Sequence, residues 1–376
     1  MQVLRYIRFV VFFCVLAVFC GTGPARAQEG PAVTAESAIL IEASTGRVIY
    51  EKDADALRYP ASTTKMMTCI LALEKGNMDA VITVSPAAAN VEDTELQAGD
   101  QMKLAELVQE MMLRSDNGAA VAIEEYLASS MGSFAEQMNK KAVSLGARNT
   151  QFLNPNGLPN PQHYSTARDI AKIAAYGMKN PEFRALVGVK TKNIHWLRPA
   201  GKSAVMENTN ALLGVYPGLT GIKTGYTKAA GGCLAASAQR DGLELIAVVL
   251  HSESEAARFR DAAALLDYGF AQMRLVPGLE RTQAVRGVWV RGGQKGHITA
   301  RPAADLLYPV LQEDEVKRYT VAYDIPIAEA GVKAGQQVGE LVLSYDGHEV
   351  ERIPLLADED SAAGFSLLGF LIRLFT

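Results

Sequence analysis

The sequence predicts an α+β protein whose main domain is followed by a small all-β domain and an amphipathic helix. Three observations carry that expectation. An apolar, partly alternating run lies near residue 40, helical periodicity fills much of Ala61 to Leu213, and strand-like runs return between Gly232 and Leu250. Strands, a helical block and strands again describe one antiparallel sheet completed by segments distant in sequence.

At the N-terminus, Arg5 and Arg8 precede an apolar run from Phe9 to Phe19, then Gly21 to Pro24 and Ala25-Arg26-Ala27. That order is the pattern of a secretory signal peptide over residues 1–27, cleaved after Ala27. The apolar run is well short of the ~20 residues that a spanning helix needs. The main domain is expected over 31–274. Ser37 to Tyr50, around Ser44-Thr45-Gly46, reads as a hairpin. Met66, Met67, Ile70, Leu71 and Leu73 share one helix face, and Leu104, Leu107, Val108, Met111 and Met112 share another. Strands at Gly232 to Ser237 and Leu243 to Leu250 precede a helix from about Glu255 to Met273.

Residues 278–358 differ in kind. Their short β-rich runs end in Glu340 to Tyr345, the turn pair Asp346-Gly347, and His348 to Leu355, a strong hairpin signal. An acidic stretch, Asp358-Glu359-Asp360, reads as a solvated spacer before a segment at 362–376. In that segment Ser366, Gly369, Arg373 and Thr376 recur at helical spacing among Phe, Leu and Ile. A helix of that length is about 20 Å long, against a hydrocarbon core of ~30 Å, so it is expected to lie in a membrane interface rather than cross it.

The chain has a net charge of −4, and losing Arg5, Arg8 and Arg26 makes it more acidic still. No basic block marks a nucleic-acid partner. The five histidines are scattered, with no HExxH or CxxC spacing, so no metal is expected. Cys14 and Cys20 leave with the signal peptide. Cys69 and Cys233 could form one bridge, but buried free thiols are the simpler reading of the two.

The chemistry concentrates in three short strings: Ser62-Thr63-Thr64-Lys65, Ser115-Asp116-Asn117 and Lys223-Thr224-Gly225. Residues three apart on a helix lie one above the other, so Ser62 and Lys65 can hydrogen-bond if a helix opens near Pro60 or Ala61. A lysine serves as base only when its pKa is depressed, by burial and by a neighbouring cation, here expected to be Lys223. Taken singly, Ser62 is as well explained as a helix cap. S-x-x-K, S-D-N and K-T-G together, in this order, are a serine acyl-transfer signature.

With these strings the chain resembles the penicillin-binding D-alanyl-D-alanine carboxypeptidases of the bacterial cell wall, low-molecular-mass penicillin-binding proteins. Tyr59-Pro60-Ala61-Ser62, His163 to Asp169, Arg258-Phe259-Arg260-Asp261 and Leu265 to Phe270 extend the resemblance. It implies a serine β-lactamase/transpeptidase-like main domain. It also implies a serine hydrolase that removes the terminal D-alanine from peptidoglycan stem peptides ending in D-Ala-D-Ala, is acylated by β-lactams and needs no cofactor. By the same resemblance Ser62 is the nucleophile, Lys65 the base and Ser115 a proton relay, while Asn117 binds the substrate amide. Lys223, Thr224 and Arg258 bind its carboxylate, Gly225 admits the acyl chain, and the backbone N–H groups of Ser62 and Tyr226 form the oxyanion hole. His163 and Tyr164 read as loop support, and Asp116 as a local backbone anchor. Asn156 stands where some members carry a histidine. The implied location is the extracytoplasmic face of the cytoplasmic membrane, with the C-terminal helix on the membrane surface. A D,D-endopeptidase and a non-catalytic penicillin-binding module are the alternatives. A class A β-lactamase is disfavoured because Glu124-Glu125-Tyr126-Leu127-Ala128 lacks the asparagine of its E-x-x-L-N loop.

Overall fold

A computed structural model describes residues 30–364. The signal-peptide segment at 1–27 and the greater part of the amphipathic segment, 365–376, lie outside the described residues. The hairpin near residue 40 forms as β1 (Ser37–Glu42) and β2 (Val48–Lys52), paired antiparallel. Its turn is held by the buried Glu42 carboxylate, which accepts hydrogen bonds from Ser44 N at 3.0 Å, Ser44 Oγ at 2.9 Å and Thr45 N at 2.8 Å.

A 3-10 turn over Ala61–Thr64 then runs directly into α1 (Lys65–Lys75). Met66 through Ala72 of this helix are all buried, as expected of a helix that is apolar all round and runs through the middle of the domain. Around it the chain lays down β3 (Val81–Thr83), α2 (Pro86–Ala89), β4 (Gln101–Lys103), α3 (Leu104–Leu113), α4 (Asn117–Leu127), α5 (Met131–Ser144), α6 (Ala167–Lys179) and α7 (Pro181–Val187). The expected helical block from Ala61 to Leu213 is therefore interrupted. β3 pairs with β4, and β5 (Thr191–His195) pairs with β6 (Ser203–Glu207). Only Ile194 and Met206 of β5 and β6 are buried, so this hairpin has too little apolar alternation to stand out in the sequence.

The sheet is completed by β7 (Leu219–Thr227), β8 (Gly231–Arg240) and β9 (Leu243–Ser252), followed by α8 (Ala257–Gln272). Its order is β2-β1-β9-β8-β7, antiparallel throughout. Successive strand residues face opposite sides, so the two faces can be read from the register. Ile39, Ile41, Ile246, Val248 and Leu250 join the core under the helical block. Leu40, Leu245, Ala247 and Val249 pack with Leu265 and Leu266 of α8 on the other face. Burial on both faces explains why β8 and β9 read as nearly unbroken apolar runs. Cys69 in α1 and Cys233 on β8 are buried free thiols, and burial pushes the Cys233 thiol up to about 11.

The following segment has its own core around Val288, Ile298, Leu341, Leu343, Ile353 and Leu355. β10 (Arg274–Pro277) pairs with a strand further on. Next come β11 (Arg286–Arg291), β12 (His297–Pro302), β13 (Leu307–Val310, the partner of β10), β14 (Tyr319–Asp324), β15 (Ala328–Glu329), β16 (Gln337–Tyr345) and β17 (His348–Ala357). Six of them form a sheet in the order β14-β16-β17-β12-β11-β15, antiparallel except for the short parallel pair β11 and β15. Asp346 and Gly347 both have positive φ, as a two-residue hairpin turn requires. The acidic stretch is not a solvated spacer. Asp358 accepts from Thr299 at 2.8 Å, Glu359 pairs with Lys295, and Asp360 accepts from Ala334 N at 2.8 Å.

One buried carboxylate ties the chain entry to the far side of the sheet. Asp261 on α8 accepts from Thr34 N at 3.0 Å, Thr34 Oγ1 at 2.8 Å, Ala35 N at 2.9 Å and Ser252 Oγ at 2.8 Å. Asp261→Ala leaves these donors unpaired, and a loss of about 3 kcal/mol is expected in denaturant unfolding. A loss under ~1 kcal/mol would show that water replaces the carboxylate at no cost.

Candidate active site

The three strings converge on one cleft of about 680 Å³. Ser62 sits in the 3-10 turn that opens α1, with Pro60 at its cap and Ala61 in the left-handed region at φ 46°. The turn is closed by Thr63 Oγ1, which donates to Pro60 O at 2.7 Å. Lys65 is the first residue of α1 and fully buried. The three-residue spacing places its Nζ 2.9 Å from Ser62 Oγ. The same Nζ lies 2.7 Å from Asn117 Oδ1 and 2.9 Å from Asn156 O.

Burial lowers the Lys65 pKa to about 7, against the opposing pull of Asp116 and Asp93. The expected contribution from Lys223 is not among the causes at Lys65. Lys223 has its own pKa held well below its ordinary value, by burial first and then by Lys65 and Arg258.

The second string is the entry to α4. Asp116 caps that helix by accepting from Ala119 N at 2.7 Å, and it holds the neighbouring loop through Thr94 Oγ1 at 2.8 Å and Glu95 N at 3.0 Å. Ser115, just before the cap, has φ 68°, an uncommon conformation for a serine, and borders the cleft. Among the described residues its hydroxyl has no hydrogen-bond partner. Asn117 Oδ1 accepts from Lys65, and Nδ2 donates to Glu92 O at 2.8 Å. The amide therefore orients the lysine and keeps one N–H for a substrate.

The third string lies on β7 at the sheet edge. A β-carbon on Gly225 would sit 2.9 Å from Ser62 N and 3.1 Å from Ala61 Cβ, so the first reason for glycine is the close packing of β7 on the nucleophile turn. Ser62 N and the residue after Gly225, Tyr226, therefore border the same point of the cleft. The Tyr226 side chain itself is largely exposed. Lys223 is buried, donates to Thr224 O at 3.1 Å and is not among the residues lining the cleft. Arg258 on α8 lines the cleft, donates from Nη1 to Gly225 O at 2.8 Å and pairs with Glu255 at 3.3 Å. It is buried, and burial lowers its pKa.

Several cleft residues escaped sequence reasoning, among them Glu92, Thr94, Arg114 and Thr209. Thr209, in the loop after β6, places its Oγ1 2.6 Å from Thr224 Oγ1. Its only sequence signal was the polar run Glu207 to Asn210, inside a stretch read as helical. His163 does not line the cleft. Its Nδ1 accepts from Leu153 N at 3.2 Å, so the proton is on Nε2, which donates to Thr64 Oγ1 at 2.9 Å. Burial pushes this imidazole down to about 4, as suits a structural, neutral histidine. Neither Glu124 nor Glu125 lines the cleft. Among the described residues no group of three or more His, Cys, Asp or Glu is placed to hold a metal ion.

Comparison with known proteins places these features in a family context. A family profile described as D-alanyl-D-alanine carboxypeptidase matches residues 24–254, and one described as the penicillin-binding protein 5 C-terminal domain matches residues 278–363. The chain is 36% identical to D-alanyl-D-alanine carboxypeptidase DacF of Bacillus subtilis over 342 residues, covering 88% of this chain and 87% of that one. It is 30% identical to DacC of Escherichia coli over 369 residues, covering 93% and 90%. Penicillin-binding protein 5 from Haemophilus influenzae superposes with a TM-score of 0.63 at 27% identity, covering 91% of this chain and all of that one.

The geometry at Lys65 makes the site pH-dependent with a definite sign. Only the neutral amine can take the Ser62 proton, so the competent fraction grows as pH rises through about 7. The rate of Ser62 acylation by a β-lactam should climb about tenfold per pH unit below that value and level off above it. Lys65→Arg should be slow at every pH. A flat profile through pH 7 with a normally reactive Lys65→Arg would assign the base elsewhere.

Proposed function

The chain belongs to the D-alanyl-D-alanine carboxypeptidase family, and on that premise we propose that Ser62 and Lys65 cut the D-Ala-D-Ala bond of a peptidoglycan stem peptide through an acyl-enzyme. The protein is a serine-type carboxypeptidase with a penicillin-binding α+β domain and a C-terminal β domain. The assignment of steps to residues rests above all on one observation: a fully buried lysine with its amine 2.9 Å from Ser62 Oγ.

Neutral Lys65 removes the Ser62 proton as Oγ bonds to the carbonyl carbon of the penultimate D-alanine. The carbonyl electron pair moves onto oxygen, where the N–H groups of Ser62 and Tyr226 stabilise the charge. Collapse restores the carbonyl and breaks the C–N bond. The departing amine of D-alanine takes a proton from the Lys65 ammonium through the Ser115 hydroxyl, which borders the cleft with no other partner. In the second half a water gives a proton to Lys65, adds to the ester, and Ser62 leaves with that proton. Asn117 holds Lys65 with Oδ1 and offers its remaining N–H to the substrate amide. Thr224, with Thr209 beside it, donates to the terminal carboxylate, and buried Arg258 supplies positive potential at that end of the cleft.

The protein is proposed to work outside the cytoplasm, exported by residues 1–27. Residues 362–376 are proposed to hold it to the membrane surface, a role supported by their sequence pattern. Among the described residues no helix is long and apolar enough to cross a membrane. Gln294 N donates to Ala362 O at 2.8 Å and Gly364 N to Gly292 O at 2.7 Å, so the β domain continues through Gly364. Any cut that spares the fold belongs after that residue.

Ser62→Ala should abolish both the covalent penicillin adduct and D-alanine release from a pentapeptide ending in D-Ala-D-Ala. Thr209→Val should raise KM for that peptide about tenfold with a smaller change in kcat, because the Thr224 hydroxyl loses the partner that orients it toward the carboxylate. Wild-type labelling by Ser62→Ala, or an unchanged KM in Thr209→Val, would remove the respective role. Ending the chain after Gly364 should turn a membrane-sedimenting protein into a soluble one that still hydrolyses pentapeptide. Continued sedimentation would place the anchor elsewhere.

A further inference from the structure

The β domain carries two large apolar side chains that are more than half exposed among the described residues, Trp289 at 67% and Ile327 at 57%. They are neighbours. β11 and β15 run parallel with Val290 beside Ala328 and Arg291 beside Glu329, and Trp289 and Ile327 are the residues that immediately precede this pairing on the two segments. The Arg291–Glu329 ion pair at 3.4 Å shows that these alternate positions share a face. Two residues back along β11, Trp289 belongs to that face as well, and the exposed Ile327 leads directly into β15. The exposed His297 ring packs edge-on against Trp289, with centroids 5.2 Å apart, and holds the indole in place.

The same end of the domain releases the amphipathic segment. Ala363 bridges Gly293, Gly364 N is hydrogen-bonded to Gly292 O, and Ser361 Oγ donates to Lys295 O at 2.7 Å. Gly292 follows Trp289 by three residues, about 10 Å along an extended strand. Phe365-Ser366-Leu367-Leu368 and the rest of the apolar run begin immediately after Gly364. Because Asp358, Glu359 and Asp360 are all bound to the domain, no slack chain separates its surface from that run.

We infer that this end of the β domain is itself a lipid-binding surface: Trp289 and Ile327 enter the headgroup region beside residues 365–376, so the enzyme stands on the bilayer through the β11 and β12 end of the domain. The inference rests on the membrane reading of that segment. An indole with an apolar body and a polar N–H suits the interface between lipid tails and water. An exposed apolar pair next to the anchor is explained by a partner with an apolar interior and an adjoining polar layer. Charge contributes little. Arg291 pairs with Glu329, Lys295 with Glu359 and Lys333 with Asp360, so the basic groups at this rim are already balanced. Binding through this surface should therefore tolerate salt and need no anionic lipid.

The two tryptophans of the chain make the test direct. Trp196 is 6% exposed and donates to Asp100 at 3.0 Å within the main domain, so a lipid-dependent change in emission reports Trp289. When the mature protein meets phosphatidylcholine vesicles at high salt, its emission should shift to the blue and resist quenching by acrylamide. The double variant Trp289→Ser, Ile327→Ser should bind the vesicles about tenfold more weakly while its β-lactam acylation is unchanged. Binding by the mature protein with unshifted emission and an unweakened double variant would overturn the surface and leave the anchor standing. No vesicle binding by the mature protein would overturn both. The chain ended after Gly364 separates the two contributions, since a residual blue shift at high lipid concentration belongs to Trp289 alone.

Discussion

Everything about the cleft depends on taking one lysine amine out of water. A buried ammonium is costly unless it is paired, and among the described residues the hydrogen-bond partners of Lys65 are all neutral oxygens, Ser62 Oγ, Asn117 Oδ1 and Asn156 O. Neutral acceptors orient the amine without stabilising its charge as a carboxylate in contact would. Asp116 and Asp93 act from further away, and burial outweighs them. The result is an amine poised near neutrality, held in line with a serine hydroxyl.

The three acceptors come from three separate segments: the 3-10 turn, the entry to α4 and the loop before Gly157. Each is stiffened by its own device. Thr63 closes the turn, Asp116 ties the α4 entry to the Thr94 loop, and Gly157 lies so close to the turn that a β-carbon there would come within 1.9 Å of Ala61 O. β7 closes the fourth side. Its glycine lets the strand pack on Ser62, and Arg258 fastens α8 to that strand through Gly225 O. The cleft is thus a meeting of the sheet edge with the helical block, and its precision comes from backbone contacts as much as from the reactive side chains.

The β domain obeys a different constraint. Its core is separate, and its surface charges pair mostly within the domain. Binding Asp358, Glu359 and Asp360 into the domain removes the leash that the sequence suggested. The last described residue, Gly364, is bonded to the rim at Gly292.

Much of this was legible in the sequence because it is local. Short apolar runs announce β1, β8 and β9, the Asp346-Gly347 turn announces the last hairpin, and a three-residue spacing brings Ser62 and Lys65 together on any helical turn. What was not legible depends on contacts between distant segments. The β5 and β6 hairpin buries one large side chain per strand, too few to leave a periodic trace. Thr209 acquires its place only because its loop crosses the β7 edge. Of the two causes expected to depress the Lys65 pKa, burial is the one that acts there, and the neighbouring cation is not among its causes. The sequence by itself determined the fold class and the chemical groups, because periodicity and short spacings are properties of neighbouring residues. Only the tertiary structure decided which amine is turned toward the serine, which hydroxyls face the cleft and where the acidic stretch is bound, because desolvation and hydrogen bonding depend on what the rest of the chain places nearby.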